Sequence, residues 1–146
     1  TKMPGTVASL VTTIFIYIAY EYLGYTDLRF SIIFFVIIFF YSFYAVKDSE
    51  SEFVNKDPRQ IVIDEVLGQS MPLILLLHLN QTNQISMQIE IYYIISFLVF
   101  RFFDIIKPFP VSYFDKNFKN YFGIIMDDIM AGFYTMLVIY LISLKF

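Results

Sequence analysis

The chain has 146 residues, 58% hydrophobic and 16% charged, with a mean hydropathy of +0.66, whereas soluble domains carry about 25% charged residues. Phe (18) and Tyr (12) are abundant and Cys is absent; this excludes a disordered chain, a nucleic-acid-binding arm, a disulfide scaffold, a zinc–thiolate site and a cysteine nucleophile. The net charge of −3 is mild, so the placement of the charges carries the information.

The length fits one domain, 1–146, and the composition points to an all-α fold, a compact multi-pass transmembrane bundle of about five helices. A spanning helix needs about 20 mostly apolar residues. Strands are disfavoured, because the apolar runs show no period-2 alternation and are too long. The first helix is expected over about 6–23, after Pro4-Gly5. Thr6 and Ser9 at its start offer hydroxyls and backbone N–H groups to an anion; equally, Thr6 serves only as an N-cap. The second helix, about 29–46, leads into a charged loop, Lys47–Arg59, where Asp57-Pro58 suits a helix N-terminus. The third, about 60–79, carries Asp64 and Glu65 roughly one turn in. A polar turn, Asn80–Gln84, precedes the fourth, about 86–106. The segment Lys107–Asn120 contains Pro108 and Pro110 and is expected to break the helix and lie along the membrane interface. The fifth helix, about 123–145, opens with Asp127-Asp128. No repeat or cleavable signal peptide is evident, and because the first residue is not Met, some N-terminal sequence is expected to be missing.

Alternating helices sort the charges. Lys2, Lys47, Lys56, Arg59, Arg101, Lys107, Lys116 and Lys119 fall on one side, Arg29 and Lys145 on the other. The excess of Lys and Arg assigns the first side to the cytoplasm. Asp48, Glu50, Glu52, Asp57, Asp64, Glu65, Asp104, Asp115, Asp127 and Asp128 share that side, so 8 basic and 10 acidic residues, 18 of the 23 charges, collect at one face.

Ionised groups inside a span are costly and mark function by default. Asp64, Glu65, Asp127 and Asp128 start different helices on one side and would repel one another unless a cation joins them. Oxygen ligands without Cys or a nearby His fit Mg²⁺, or Mn²⁺, rather than zinc. The plainer reading is that each pair favours a helix dipole. Arg101, Asp104 and Lys107, spaced by three, share a helical face. They form either a snorkelling interfacial end with an internal ion pair or a grip on phosphate oxygens, with Asp104 orienting Arg101 or joining the metal shell. His78 belongs to the opposite face, out of reach of the acids. Gly68, Ala131 and Gly132 are expected to allow close helix packing.

The blocks PGTVASL, KDPRQIVIDEVLGQ (Lys56–Gln69), FRFFDIIKPFPVSYFDKNFK (Phe100–Lys119) and GIIMDDIMAGFY (Gly123–Tyr134), in that order, resemble the phosphatidylglycerophosphatase A family. The resemblance implies an all-helical bacterial inner-membrane enzyme that removes phosphate from phosphatidylglycerophosphate with Mg²⁺. It assigns Asp64, Glu65, Asp127 and Asp128 to the metal and catalysis, and Arg101, Asp104 and Lys107, with Thr6 and Ser9, to the lipid substrate. Ala8 stands where the family has Gly, and the glycine-rich approach to the second acidic pair is reduced to Gly123. Other phosphatase chemistries fail on residues: no Cys, a single His, and no Asp-x-Asp pair. The alternatives are a non-catalytic divalent-cation binder or carrier and a phosphatase for another phosphorylated lipid. The expected partners are the bilayer and its phospholipid, not nucleic acid.

Overall fold

The computed structural model describes residues 4–50, 62–118 and 120–145. Among them all regular structure is helical: α1 (Pro4–Tyr17), continued by a π-helical turn at Ile18–Tyr22, α2 (Leu28–Glu50), α3 (Ile63–Gln81), α4 (Ile89–Ile106), α5 (Val111–Asn117) and α6 (Tyr121–Lys145). Five long helices match the expected set. The sixth, α5, is short and lies inside the segment expected to break the helix and run along the interface, where no helix was expected. Lys2, Glu52, Lys56, Asp57, Pro58, Arg59 and Lys119 lie outside the described residues.

The helices alternate in direction. At one end the start of α1 meets the start of α3, where Gly5 abuts the Glu65 side chain. The end of α2 meets the starts of α3 and α6 there, through Val46, Leu67 and Ile125. At the other end Tyr17 Oη donates to Glu90 Oε1 (3.3 Å) between α1 and α4, and Gln81 Nε2 donates to the Thr26 carbonyl. Leu73, Leu76, Leu79, Tyr92, Tyr93 and Ile139 form the apolar core of that half. His78 is exposed in the last turn of α3, at this far end.

The α3–α6 crossing explains the small residues. A Cβ on Gly68 would stand 2.5 Å from the Asp128 carbonyl oxygen and 2.8 Å from the Phe100 ring. Pro72, buried inside α3, lacks the N–H that would bond the Gly68 carbonyl four residues earlier. That carbonyl faces Gly132, where a side chain would collide with it. Ala131 beside it is fully buried. The two backbones therefore meet where no side chain keeps them apart.

Among the described residues, two helices are long and apolar enough to cross a membrane: α2 over Leu28–Val46, with mean hydropathy 2.0, and α6 over Phe122–Lys145, with 1.6. The outer side of α2 exposes Phe30, Ile33, Ile37, Phe40 and Tyr44, an apolar surface that suits lipid better than water.

Candidate active site

Asp64 and Glu65 lie in the first turn of α3, nearer the helix start than expected, so the positive end of the helix dipole favours both. Asp127 and Asp128 differ. The side chain of Asn120 accepts from Gly123 N (3.2 Å) and its carbonyl accepts from Ile124 N (3.3 Å), an N-cap arrangement. Helix α6 accordingly starts at Tyr121 and its first turn holds no acid. The second acidic pair thus does not open its helix; it sits about two turns inside it, and a capping role does not account for it. Gly123 is needed at this start, because a Cβ there would collide with the Phe118 carbonyl.

Asp64, Glu65 and Asp128 converge. One carboxylate oxygen from each lies within 4.8 Å of the other two. Asp64 is 7% and Asp128 4% exposed, so neither charge is relieved by solvent. Glu65 Oε2 is buried without a hydrogen-bond partner, while its other oxygen packs on Gly5, where an added Cβ would push it aside. Three carboxylates gathered this closely, two of them buried and one half-buried, are unfavourable unless protons or a cation neutralise them.

Asp127, the neighbour of Asp128 in sequence, turns elsewhere. Its Oδ2 accepts from Lys107 Nζ (2.6 Å), and the same ammonium donates to Asp115 Oδ1 on α5 (2.5 Å). Burial alone would lower the proton affinity of Lys107, but its hydrogen bonds to Asp115 and Asp127 outweigh this and hold the ammonium above the ordinary lysine value. The backbone helps to aim the lysine. Residue 107 precedes Pro108, which disfavours the right-handed helical conformation. Lys107 instead ends α4 in the left-handed region (φ 48°, ψ 60°), with its N–H on the Phe103 carbonyl (2.9 Å). Tyr134 Oη donates to the Phe109 carbonyl (2.8 Å) and ties this loop to α6.

Arg101 Nη1 meets Asp104 Oδ2 at 2.5 Å, as the spacing of three predicts, and Arg101 Nε is buried without a hydrogen-bond partner. A guanidinium that leaves a donor unmatched is available to an incoming anion. In the first block, Thr6 Oγ1 is buried and unpartnered; the residue lies in the first turn of α1, which starts at Pro4, so it is not the N-cap. Ser9 Oγ instead donates to the Gly5 carbonyl (3.0 Å) inside the helix.

The structure therefore resolves the sequence-assigned residues into a carboxylate trio, an arginine pair, and a lysine bridging two aspartates. Asp115 and Gly5 were not assigned to the site from sequence. The short α5 that brings Asp115 back to Lys107 leaves no periodic apolar pattern, and the role of Gly5 depends on a neighbouring helix.

The sequence profile of the family described as Phosphatidylglycerophosphatase A matches residues 1–143. Phosphatidylglycerophosphatase A of Haemophilus influenzae is 50% identical over 48 residues, covering 33% of this chain and 29% of that protein. The Escherichia coli protein of the same name is 40% identical over 48 residues, covering 33% and 28%. A Bacteroides thetaiotaomicron protein, provisionally named a phosphatidylinositol-3-phosphatase, is 36% identical over 84 residues, covering 58% and 48%. The chain thus spans under half the length of these relatives. No solved structure matches it.

Proposed function

The chain belongs to the phosphatidylglycerophosphatase A family, and from that premise we propose that it hydrolyses the terminal phosphate monoester of phosphatidylglycerophosphate, giving phosphatidylglycerol and phosphate, with Mg²⁺ at the Asp64–Glu65–Asp128 trio. The observation that carries this reading is the convergence of those carboxylates within 4.8 Å beside an arginine with an unmatched buried donor. The donor set fits the metal: hard oxygen ligands from two helices, one of them an orphaned carboxylate oxygen, with no thiolate or imidazole. Mn²⁺ suits the same ligands.

Bound there, the ion would supply charge neutralisation for the phosphate and activation of water. The remaining work falls to side chains. Arg101 and Lys107 bind the non-bridging phosphate oxygens and oppose the charge that shifts onto them. Asp104 fixes the guanidinium plane and Asp127 fixes the ammonium. Thr6 adds a hydroxyl donor. Water forms the new P–O bond, the P–O bond to the glycerol breaks, and the proton released by water ends on the glycerol oxygen.

The site lies at the end of the bundle where the sequence collects Lys and Arg, which supports a cytoplasmic-facing, multi-pass inner-membrane enzyme. The acyl chains would stay in the bilayer while the headgroup reaches the polar end. Gathering of the acids at one end argues against an ion carrier, whose ligands belong near the midplane with paths to both faces. The Bacteroides relative favours a second reading, the same chemistry on another phosphorylated lipid headgroup.

A panel of phospholipid monoesters with purified protein in detergent, with Mg²⁺ and with EDTA, separates these readings. Phosphate release from phosphatidylglycerophosphate that stops in EDTA is expected. Full activity in EDTA would remove the metal from the site. Preference for an inositol lipid would transfer the chain to the second reading. Metal uptake into liposomes without any phosphate release would make it a carrier.

A further inference from the structure

Lys107 is gripped from two sides, and one of them has no part in the chemistry above. Its Nζ donates to Asp127 on α6 at 2.6 Å and to Asp115 on α5 at 2.5 Å. From this bridge we infer that Asp115 is a positioning residue for phosphate binding, acting through Lys107 and touching neither the phosphate nor the metal. The inference deepens the phosphatase reading and rests on it.

The two carboxylates differ in depth. The Asp127 side chain is 10% exposed and that of Asp115 is 43%. A lysine ammonium has three donors on a flexible four-carbon stem. With Asp127 alone, the buried carboxylate would draw the ammonium inward into a one-to-one pair. Asp115 pulls from the solvent side and holds Nζ midway, with its third N–H left for a phosphate oxygen. Four features fix that station: the left-handed turn at Lys107, Pro108 after it, the Tyr134 hydrogen bond to the Phe109 carbonyl, and the packing of Phe114 and Phe118 on Phe122 of α6. Because the Lys107–Asp115 pair is partly exposed, it adds little to folding stability, so its loss is readable in kinetics without a change in fold.

The test uses the full chain in detergent as wild type, Asp115→Asn and Asp115→Glu. Initial rates are measured over a range of phosphatidylglycerophosphate concentrations with Mg²⁺. Thermal midpoints are measured with and without inorganic phosphate. For Asp115→Asn, KM rises about tenfold, the size of one charge-assisted hydrogen bond, while kcat and the phosphate-free midpoint stay near wild type. The thermal shift produced by phosphate shrinks, and Asp115→Glu restores much of both. An unchanged or lowered KM, a joint fall of kcat and midpoint, or failure of Asp115→Glu to restore binding overturns the inference. If the wild type releases phosphate from no lipid, the phosphatase reading fails by itself. The phosphate-induced shift then decides: smaller in Asp115→Asn supports the positioning role, and equal in both overturns it.

Discussion

Asp127 and Asp128 are adjacent on one helix and face opposite surroundings. Asp127 faces a cation that the chain itself supplies, Lys107, with Asp115 as its second partner. Asp128 joins Asp64 and Glu65, and none of the described ion pairs brings a lysine or arginine to that trio. Consecutive residues on an α-helix point about 100° apart, so one dipeptide serves both clusters. Among the described residues, the lysine cluster carries its own counter-charge and the trio does not. Lone carboxylates crowded in a buried site mark ligand binding more sharply than carboxylates already paired.

The largest effect that would sharpen this contrast is loss of the trio. Asp128→Asn or Asp64→Asn should lower phosphate release by more than about a hundredfold, beyond the range typical of outer-shell partners of a metal. The same change removes a repulsive charge, so in EDTA the thermal midpoint of Asp128→Asn should equal or exceed that of wild type. A variant with full activity, or one less stable in EDTA, would break the assignment.

Metal dependence should then divide the neighbours. Mg²⁺ at about 100 times its Kd adds about 2.7 kcal/mol to a protein that binds it only when folded, and wild type should show the resulting rise in midpoint. Asp128→Asn should lose that rise. Asp127→Asn should keep it while losing activity about tenfold or more, since its partner is Lys107. Equal loss of the Mg²⁺ response in both variants would merge the two clusters into one metal site.

Next comes the crossing that brings α3 and α6 together. Gly68→Ala places a methyl group against the Asp128 backbone and the Phe100 ring, and should cost about 1–3 kcal/mol, as overpacking does. Denaturation in detergent checks this, and a stability equal to wild type would mean the helices can separate without loss.

The smallest effects lie in the first block. Thr6→Val removes a buried hydroxyl with no partner and should lower kcat/KM several-fold, about 1 kcal/mol in binding. Ser9→Ala removes a hydroxyl already bonded to the Gly5 carbonyl and should change kcat/KM by less than about twofold. A larger loss in Ser9→Ala would reverse their roles.

The amino-acid sequence by itself determined the all-helical class and the five long helices. These follow from composition and from apolar run length, which are local properties. It also singled out Asp64, Glu65, Asp127, Asp128, Arg101, Asp104 and Lys107, because charges are rare in such a chain and each one stands out. It put the start of the last helix at about 123, two residues after the observed Tyr121, because the apolar pattern of residues 121–126 does not reveal that Asn120 caps it. Only the tertiary structure decided how the acids divide. Which oxygen meets which depends on the rotation of α6 against α3, set by the glycines at their crossing, and on the return of α5, which carries Asp115 to Lys107. Those contacts join residues far apart in the chain through packing geometry, and spacing along one helix carries no record of them.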